Sequence, residues 1–173
     1  LSRVRHLASL SRSARIQRST AGCLALAASA LGCDTDAAVF VDAVLRDPSA
    51  ELTVVALGAS LRGSAELELH LGSRASGTSD VVIDALSLAS EGGDEIVARL
   101  PATFAPGSPV QVAQGETVVV AVAFDTGTTT LDASVATAVC AGRVVLTIVI
   151  EDSLQQGPAS VRSAPFAVTG CGG

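Results

Sequence analysis

The sequence contains no tryptophan, tyrosine or methionine, and its only aromatic residues are four phenylalanines among 173 residues. A hydrophobic core must therefore be built from Val, Leu, Ile and Ala, and the abundance of Val favours strands. The lack of aromatic residues also removes the stacking platforms that proteins use to bind single-stranded nucleic acid. Lysine is absent as well, so that arginine supplies all of the fixed positive charge.

Charge divides the chain at Cys33. The first 33 residues contain five arginines and no acidic residue, whereas all 17 Asp and Glu follow Cys33 together with six arginines. Six cations against 17 anions give the second part a net charge of −11. Such an acidic surface repels phosphate backbones, and we therefore expect no nucleic-acid partner.

The N-terminal part combines a basic flank with an apolar run over residues 21–32. The run is too short for a helix that crosses a bilayer, which needs roughly 20 apolar residues. A basic flank, a short apolar core and small residues at the end are typical of an export signal, which we predict over residues 1–32. An uncleaved membrane anchor and an amphipathic helix are the alternatives, and the arginines do not fit on one face of a helix.

The end of this run, Ala30-Leu31-Gly32-Cys33, resembles the lipobox of bacterial exported lipoproteins. Gly32 and Cys33 match that pattern, while Ala30 and Leu31 differ from its commonest form. The resemblance implies cleavage before Cys33, lipid on its sulfur, and a membrane-anchored protein of the cell envelope, on the periplasmic or the outer surface. The alternative is an ordinary cut near Ala28-Ser29-Ala30, which would leave Cys33 as an incidental cysteine.

The remaining chain is long enough for one domain, which we place at residues 37–173 after a short tether at 33–36. Glu66 to Leu71 alternates strictly between polar and apolar residues, which predicts a strand with Leu67, Leu69 and Leu71 buried. His70 then lies on the solvent side as a strand residue and not as a catalytic base. Similar short apolar stretches recur about every ten residues, and they predict an all-β sandwich of seven to nine strands.

We predict the bounds of four of these stretches as follows. Residues 37–45 are a strand or a short helix that ends at Arg46-Asp47-Pro48, and Leu52–Leu57 follow as a separate strand. We also expect a strand over Leu131–Cys140 and a final strand over Ser160–Cys171.

Two segments resemble the Ig-like repeats of bacterial secreted and surface proteins. The first runs from Pro101 to Phe124 and includes the turn Pro106-Gly107 and an alternating Val strand; the second is Pro165 to Gly170. The resemblance implies an Ig-like β-sandwich with a structural or binding role toward a protein or glycan partner. It implies no catalytic residues and no cofactor.

Three cysteines remain after the predicted signal: Cys33, Cys140 and Cys171. If Cys33 carries lipid, the other two are an even pair in an oxidising compartment, which favours a disulfide between them. Free thiols and a metal site are the alternatives. Metal binding requires closely spaced Cys or His ligands, and His70 is the single histidine beyond the signal.

One motif points to catalysis. Ala123-Phe124-Asp125-Thr126-Gly127 resembles the Asp-Thr-Gly loop of aspartic proteases, in which two aspartates share a proton. A single copy implies a homodimeric enzyme that uses Asp125. The same residues are typical of a plain turn after a strand, which is the interpretation we favour. We therefore predict a non-enzymatic protein, with the dimeric protease as the alternative.

Overall fold

Antiparallel strands account for most of the chain that the structure describes. The computed structural model describes residues 37–55, 58–127 and 131–172. The elements are β1 (Val41–Val55), β2 (Gly58–Leu71), β3 (Ser79–Ser90), β4 (Glu95–Val97), β5 (Ala102–Ala105), β6 (Val110–Val112), β7 (Thr117–Asp125), α1 (Ala133–Cys140), β8 (Arg143–Asp152), β9 (Pro158–Arg162) and β10 (Phe166–Ala167).

The strands form two antiparallel sheets. The first sheet has the order β1-β2-β7-β5, and the second has the order β10-β8-β3-β4, with β6 also paired to β3 and β9 to β8. The predicted all-β sandwich is confirmed. The structure describes ten strands, more than the seven to nine that we predicted, and β4, β6 and β10 are only two or three residues long.

Alternation along the central strands builds the core. Leu67, Leu69 and Leu71 are fully buried in β2, as predicted, and Val120, Val122 and Phe124 are buried in β7. Burial of each such side chain contributes about 1.5–3 kcal/mol. The residues between them point to the opposite, solvent-facing side of the first sheet.

The predicted break at Arg46-Asp47-Pro48 is wrong. β1 continues through these residues as a β-bulge, with a register shift between Arg46 and Ser49 and a left-handed φ of 47° at Asp47. Pro48 has no N–H to donate and is therefore tolerated at a bulge in an edge strand. Leu52 consequently belongs to the same strand, while the prediction for Leu57 lies outside the described residues.

The bulge fits onto β2 because Gly63 has no side chain. A Cβ atom at Gly63 would lie 2.1 Å from the carbonyl oxygen of Ser49 and 2.4 Å from Cζ of Phe124. The ring of Phe124 and the bulged strand therefore occupy the space that any other residue would fill. This close approach fixes the positions of β1, β2 and β7 relative to each other.

The predicted strand over Leu131–Cys140 is also wrong, because Ala133–Cys140 form the helix α1. Leu131 alone pairs with β2, through hydrogen bonds in both directions with Ala59. Val135 and Val139 lie four residues apart and so share one face of a helix. Val139 is fully buried, and its face of α1 packs against the core.

The predicted final strand is divided. Ser163 interrupts it, because its side-chain oxygen accepts the N–H of Leu146 at 3.1 Å, and Pro165 cannot continue the ladder. β10 pairs with β8 in the second sheet, and residues 168–170, the C-terminal strap, then cross to the first sheet. Leu52 N–H donates to the Thr169 carbonyl at 2.9 Å, and Thr169 N–H donates to the Ala50 carbonyl at 3.0 Å.

A disulfide holds this strap. Cys140 at the end of α1 is bonded to Cys171, with an S–S distance of 2.05 Å and a Cα–Cα distance of 5.4 Å. Cys140 thus ends a helix and not the strand that we expected. None of the described helices has the length and apolarity needed to span a bilayer.

Candidate binding surface

Alternate residues of β1, β2, β7 and β5 form the solvent-facing side of the first sheet, which we name the outer face. The strand register arranges them in five rows that run across the strands: Glu51–Arg62–Asp125, Ser49–Ser64–Ala123–Thr103, Arg46–Glu66–Ala121–Ala105, Val44–Glu68–Val119 and Asp42–His70–Thr117. Charged side chains dominate the first row. Small side chains fill the second row.

A groove of about 830 Å³ runs across the strands between the first two rows. Its lining includes both rows and the four residues that lie between them in the sheet, which are Ala50, Gly63, Phe124 and Ala102. Because the side chains of such intervening residues point into the core, their backbone forms the floor. Thr169 of the C-terminal strap also lines the groove, next to β1.

Two ion pairs lie on the outer face. The Arg62 guanidinium binds Glu51 at 2.7 Å, and the Arg46 guanidinium binds Glu68 at 2.6 Å. The hydrogen bond from Arg46 lowers the pKa of Glu68, and the charge of Arg46 adds to this effect against the partial desolvation of the carboxylate. Both arginines are therefore already neutralised by a neighbouring carboxylate.

Three other carboxylates of the outer face have no ion pair with any described residue: Asp42, Glu66 and Asp125. All three are exposed. With five acids and two arginines, the described outer face carries a net charge of −3 when its histidine is neutral. This excess negative charge is spread over three strands and is not concentrated in one cluster.

Asp125, the residue of the protease-like motif, ends β7 in a turn. Its Oδ1 accepts the N–H of Gly127 at 2.7 Å, and the hydroxyl of the buried Thr126 accepts the N–H of Leu61 at 2.9 Å. These bonds are typical of an Asx turn after a strand. The pairing of Asp125 with a second Asp125 across a dimer, which the protease hypothesis requires, stays a prediction.

The other predicted site residues have separate locations. Cys33 lies outside the described residues, so its lipidation stays a prediction. Cys140 and Cys171 are joined at the end of the sandwich that carries α1. His70 is half-buried on the outer face, with Nδ1 2.9 Å from the Thr117 hydroxyl. Among the described residues, no group of three or more His, Cys, Asp or Glu side chains could hold a metal ion.

Sequence reasoning missed one buried carboxylate, that of Asp152. It accepts hydrogen bonds from the Ser79 hydroxyl at 2.5 Å and from the N–H groups of Val41 and Leu154 at 2.9 Å. These bonds connect the start of β1 with β3 and β8, which belong to the other sheet. The sequence signal is an Asp at the end of an apolar strand and before a Ser, and this signal does not indicate which strand the carboxylate will bind.

Comparison of the chain with protein-family models, with curated proteins and with solved structures found no match.

Proposed function

We propose that the protein is a non-enzymatic lipoprotein of the cell envelope, with an Ig-like sandwich that binds a protein or glycan partner through the outer face of the first sheet. The observation that carries the binding role is the open groove across four strands, bounded by a charged row on one side and small side chains on the other. Concave sites with a few placed polar groups are typical of small-ligand binding.

Lipid on Cys33 supports this role because it would bring the sandwich close to the membrane. Seven residues lie between Cys33 and Val41 at the start of β1, and the eight Cα–Cα steps between these two residues span at most roughly 28 Å when fully extended. The end of the sandwich where β1 begins would then face the membrane, and the end with α1 would face away. The groove lies in the half of β1 beyond the bulge, on the side that remains accessible to a partner.

The membrane anchor is tested by mass and by fractionation. Purified membranes should contain a protein that begins at Cys33 and carries the additional mass of a diacylglycerol. Cys33→Ala should remove that mass, and it should either release the protein from the membrane or block its processing. Cys23→Ala is the matched control, because Cys23 has almost no apolar core before it and is not expected to carry lipid. This substitution should change neither the mass nor the membrane retention. An unchanged mass and unchanged membrane retention in Cys33→Ala would refute the anchor.

The binding surface is tested by blocking the groove. Ser64→Arg places a long side chain in the second row, whereas Ser160→Arg places the same side chain on the exposed β9 of the second sheet. Protein and glycan arrays probed with the two variants should show at least a tenfold loss of signal for Ser64→Arg alone. Equal signals for the native protein and for Ser64→Arg would exclude the outer face as the binding surface.

A further inference from the structure

The three carboxylates without an ion pair on the outer face lie along one diagonal line of the strand register. Asp42 is opposite His70, and Asp125 is opposite Arg62, so that the three acids occupy neighbouring strands at β2 positions 70, 66 and 62. Each step along this line is therefore four residues along the strand and one strand across. The line crosses β1, β2 and β7 in order.

Strand geometry gives the spacing of the line. Four residues cover roughly 13.6 Å along an antiparallel strand, and the neighbouring strand lies about 4.8 Å away, so that successive acids are roughly 14 Å apart. The line is inclined by roughly 20° to the strands. A second extended chain that crosses the outer face at this angle would follow the line.

We propose that the outer face binds an extended segment of a basic polypeptide, in which a cationic side chain recurs at every fourth residue. Side chains of an extended chain alternate between its two sides, so that residues i, i+4 and i+8 point the same way and are roughly 13.6 Å apart. Three such cations reach Asp42, Glu66 and Asp125 at the same time. This inference rests on the proposed function, because it assigns a partner class to the same surface.

Charge excludes the opposite class of partner. The two arginines among the described residues of the outer face are paired with Glu51 and Glu68, so neither is available to neutralise phosphates or an anionic membrane. Along the line, Val44 lies between Asp42 and Glu66 and is exposed to 39%, and the small Ala123 lies between Glu66 and Asp125. The apolar side chains between the cations of a bound strand would pack against these residues.

Titration with synthetic peptides tests the spacing. An eleven-residue peptide with arginine at positions 2, 6 and 10 and with Ser, Thr and Val elsewhere is compared with an isomer that has its three arginines adjacent. A third peptide carries glutamate in place of each arginine. Affinities are measured by fluorescence anisotropy at low salt and again near 0.15 M, where charges are screened beyond about 8 Å.

Two triple variants of equal net charge identify the surface. The first, Asp42→Asn, Glu66→Gln and Asp125→Asn, neutralises the line, and the last of these substitutions retains the side-chain oxygen that caps the turn. The control neutralises exposed acids elsewhere: Asp80→Asn, Glu91→Gln and Glu151→Gln. Each pair between exposed charges contributes about two- to fivefold in affinity, so that the first variant should bind the spaced peptide roughly 10- to 100-fold more weakly.

The expected result is tighter binding of the spaced peptide than of its isomer, with the loss confined to the first variant. Equal binding of the two isomers, equal loss in both variants, or no binding of the spaced peptide at low salt would overturn the proposal. Binding of the glutamate peptide that is lost in Ser64→Arg would also overturn the proposal of a basic partner. That result would still leave the outer face as the binding surface. Thermal melting of each variant checks that it is folded.

Discussion

The disulfide between Cys140 and Cys171 holds the C-terminal strap on the edge of β1, and its removal should loosen a defined part of the sandwich. We consider the double variant Cys140→Ser and Cys171→Ser, with the chain otherwise unchanged. The strap makes two backbone hydrogen bonds to β1 and a third bond from the Thr169 hydroxyl to the Ala50 carbonyl at 3.1 Å. These bonds would then have to hold the last residues without a covalent link.

The magnitude follows from the closed loop. The two cysteines are 31 residues apart, and closing a loop of that length lowers the entropy of the unfolded chain by an amount equivalent to about 3.7 kcal/mol at 25 °C. For a domain of this size the corresponding loss in melting temperature is roughly 10–15 °C. A loss of about 3.7 kcal/mol is a large part of the roughly 5–15 kcal/mol by which a typical domain is stable against unfolding.

Two measurements are needed, one global and one local. Urea unfolding of the native protein and the double variant gives the difference in the free energy of unfolding, and reduction of the native protein should reproduce it. Hydrogen exchange reports the strap directly, since the N–H groups of Leu52 and Thr169 both bond across it. They should lose protection in the variant, while the N–H groups of the central strand β2 lose only what the global change requires.

A change in unfolding free energy below about 1 kcal/mol would contradict the loop-closure estimate. Unchanged protection of Leu52 and Thr169 would contradict the role of the disulfide in holding the strap. Single variants serve as controls, because Cys140→Ser and Cys171→Ser each break the same bond and should behave alike. A difference between them would mean that one cysteine has a separate packing role.

Three further predictions concern a close packing contact, a buried carboxylate and a surface ion pair. Gly63→Ala should lower the free energy of unfolding by about 1–3 kcal/mol in urea titrations, because its Cβ overlaps the Ser49 carbonyl and the Phe124 ring; a neutral effect would mean that the bulge moves freely. Asp152→Ala leaves three donors without their acceptor and should cost about 3 kcal/mol or more, whereas a loss below about 1 kcal/mol would show that water replaces the carboxylate. Because Arg46 lowers the folded-state pKa of Glu68, the pair stabilises the fold above the unfolded pKa and stops doing so as the pH falls through the folded one. The difference in urea midpoint between the native protein and Arg46→Gln should therefore be larger at pH 7 than at pH 3, and an equal difference would refute this linkage.

The sequence predicted the sandwich because its central strands carry their own pattern. Leu67, Leu69 and Leu71 alternate with polar residues over a full strand length, and one buried face is sufficient to specify both strand and register. The edge strand β1 was divided wrongly because Pro48 is a reliable breaker inside a sheet but not at a bulge on its edge. The strand state of residues 46–49 depends on Gly63, which is distant in sequence.

The helix α1 was missed for a different reason. Val135 and Val139 are β-branched and favour strands by propensity, yet their spacing of four residues fits a helix equally well. An eight-residue segment has little intrinsic helix stability, so its conformation is decided by packing. Burial of Val139 in the core selects the helix, and that contact cannot be inferred from the segment itself.

The solvent side of β2 could be predicted from its alternation, but the alignment of charges across the outer face could not, because it depends on the register between strands. Asp42, Glu66 and Asp125 are separated by 24 and 59 residues in the chain, and only the pairing of β1 with β2 and of β2 with β7 aligns them. A shift of one residue in either pairing would turn one of these acids toward the core. The packing of Leu residues that fixes the register of β2 therefore also fixes the spacing of the charges.

β1 connects the stability of the fold with the shape of the groove. As an edge strand it exposes unpaired backbone groups to pairing with other chains. Its first residue is held through the bond from Val41 to Asp152, and its middle is covered by Thr169 of the C-terminal strap. Thr169 is also a wall of the groove, so that loss of the disulfide would open an edge and change the proposed binding surface at the same place. Because Ser49 and Glu51 reach the groove from this part of β1, partner binding should stabilise the same strand that the disulfide holds.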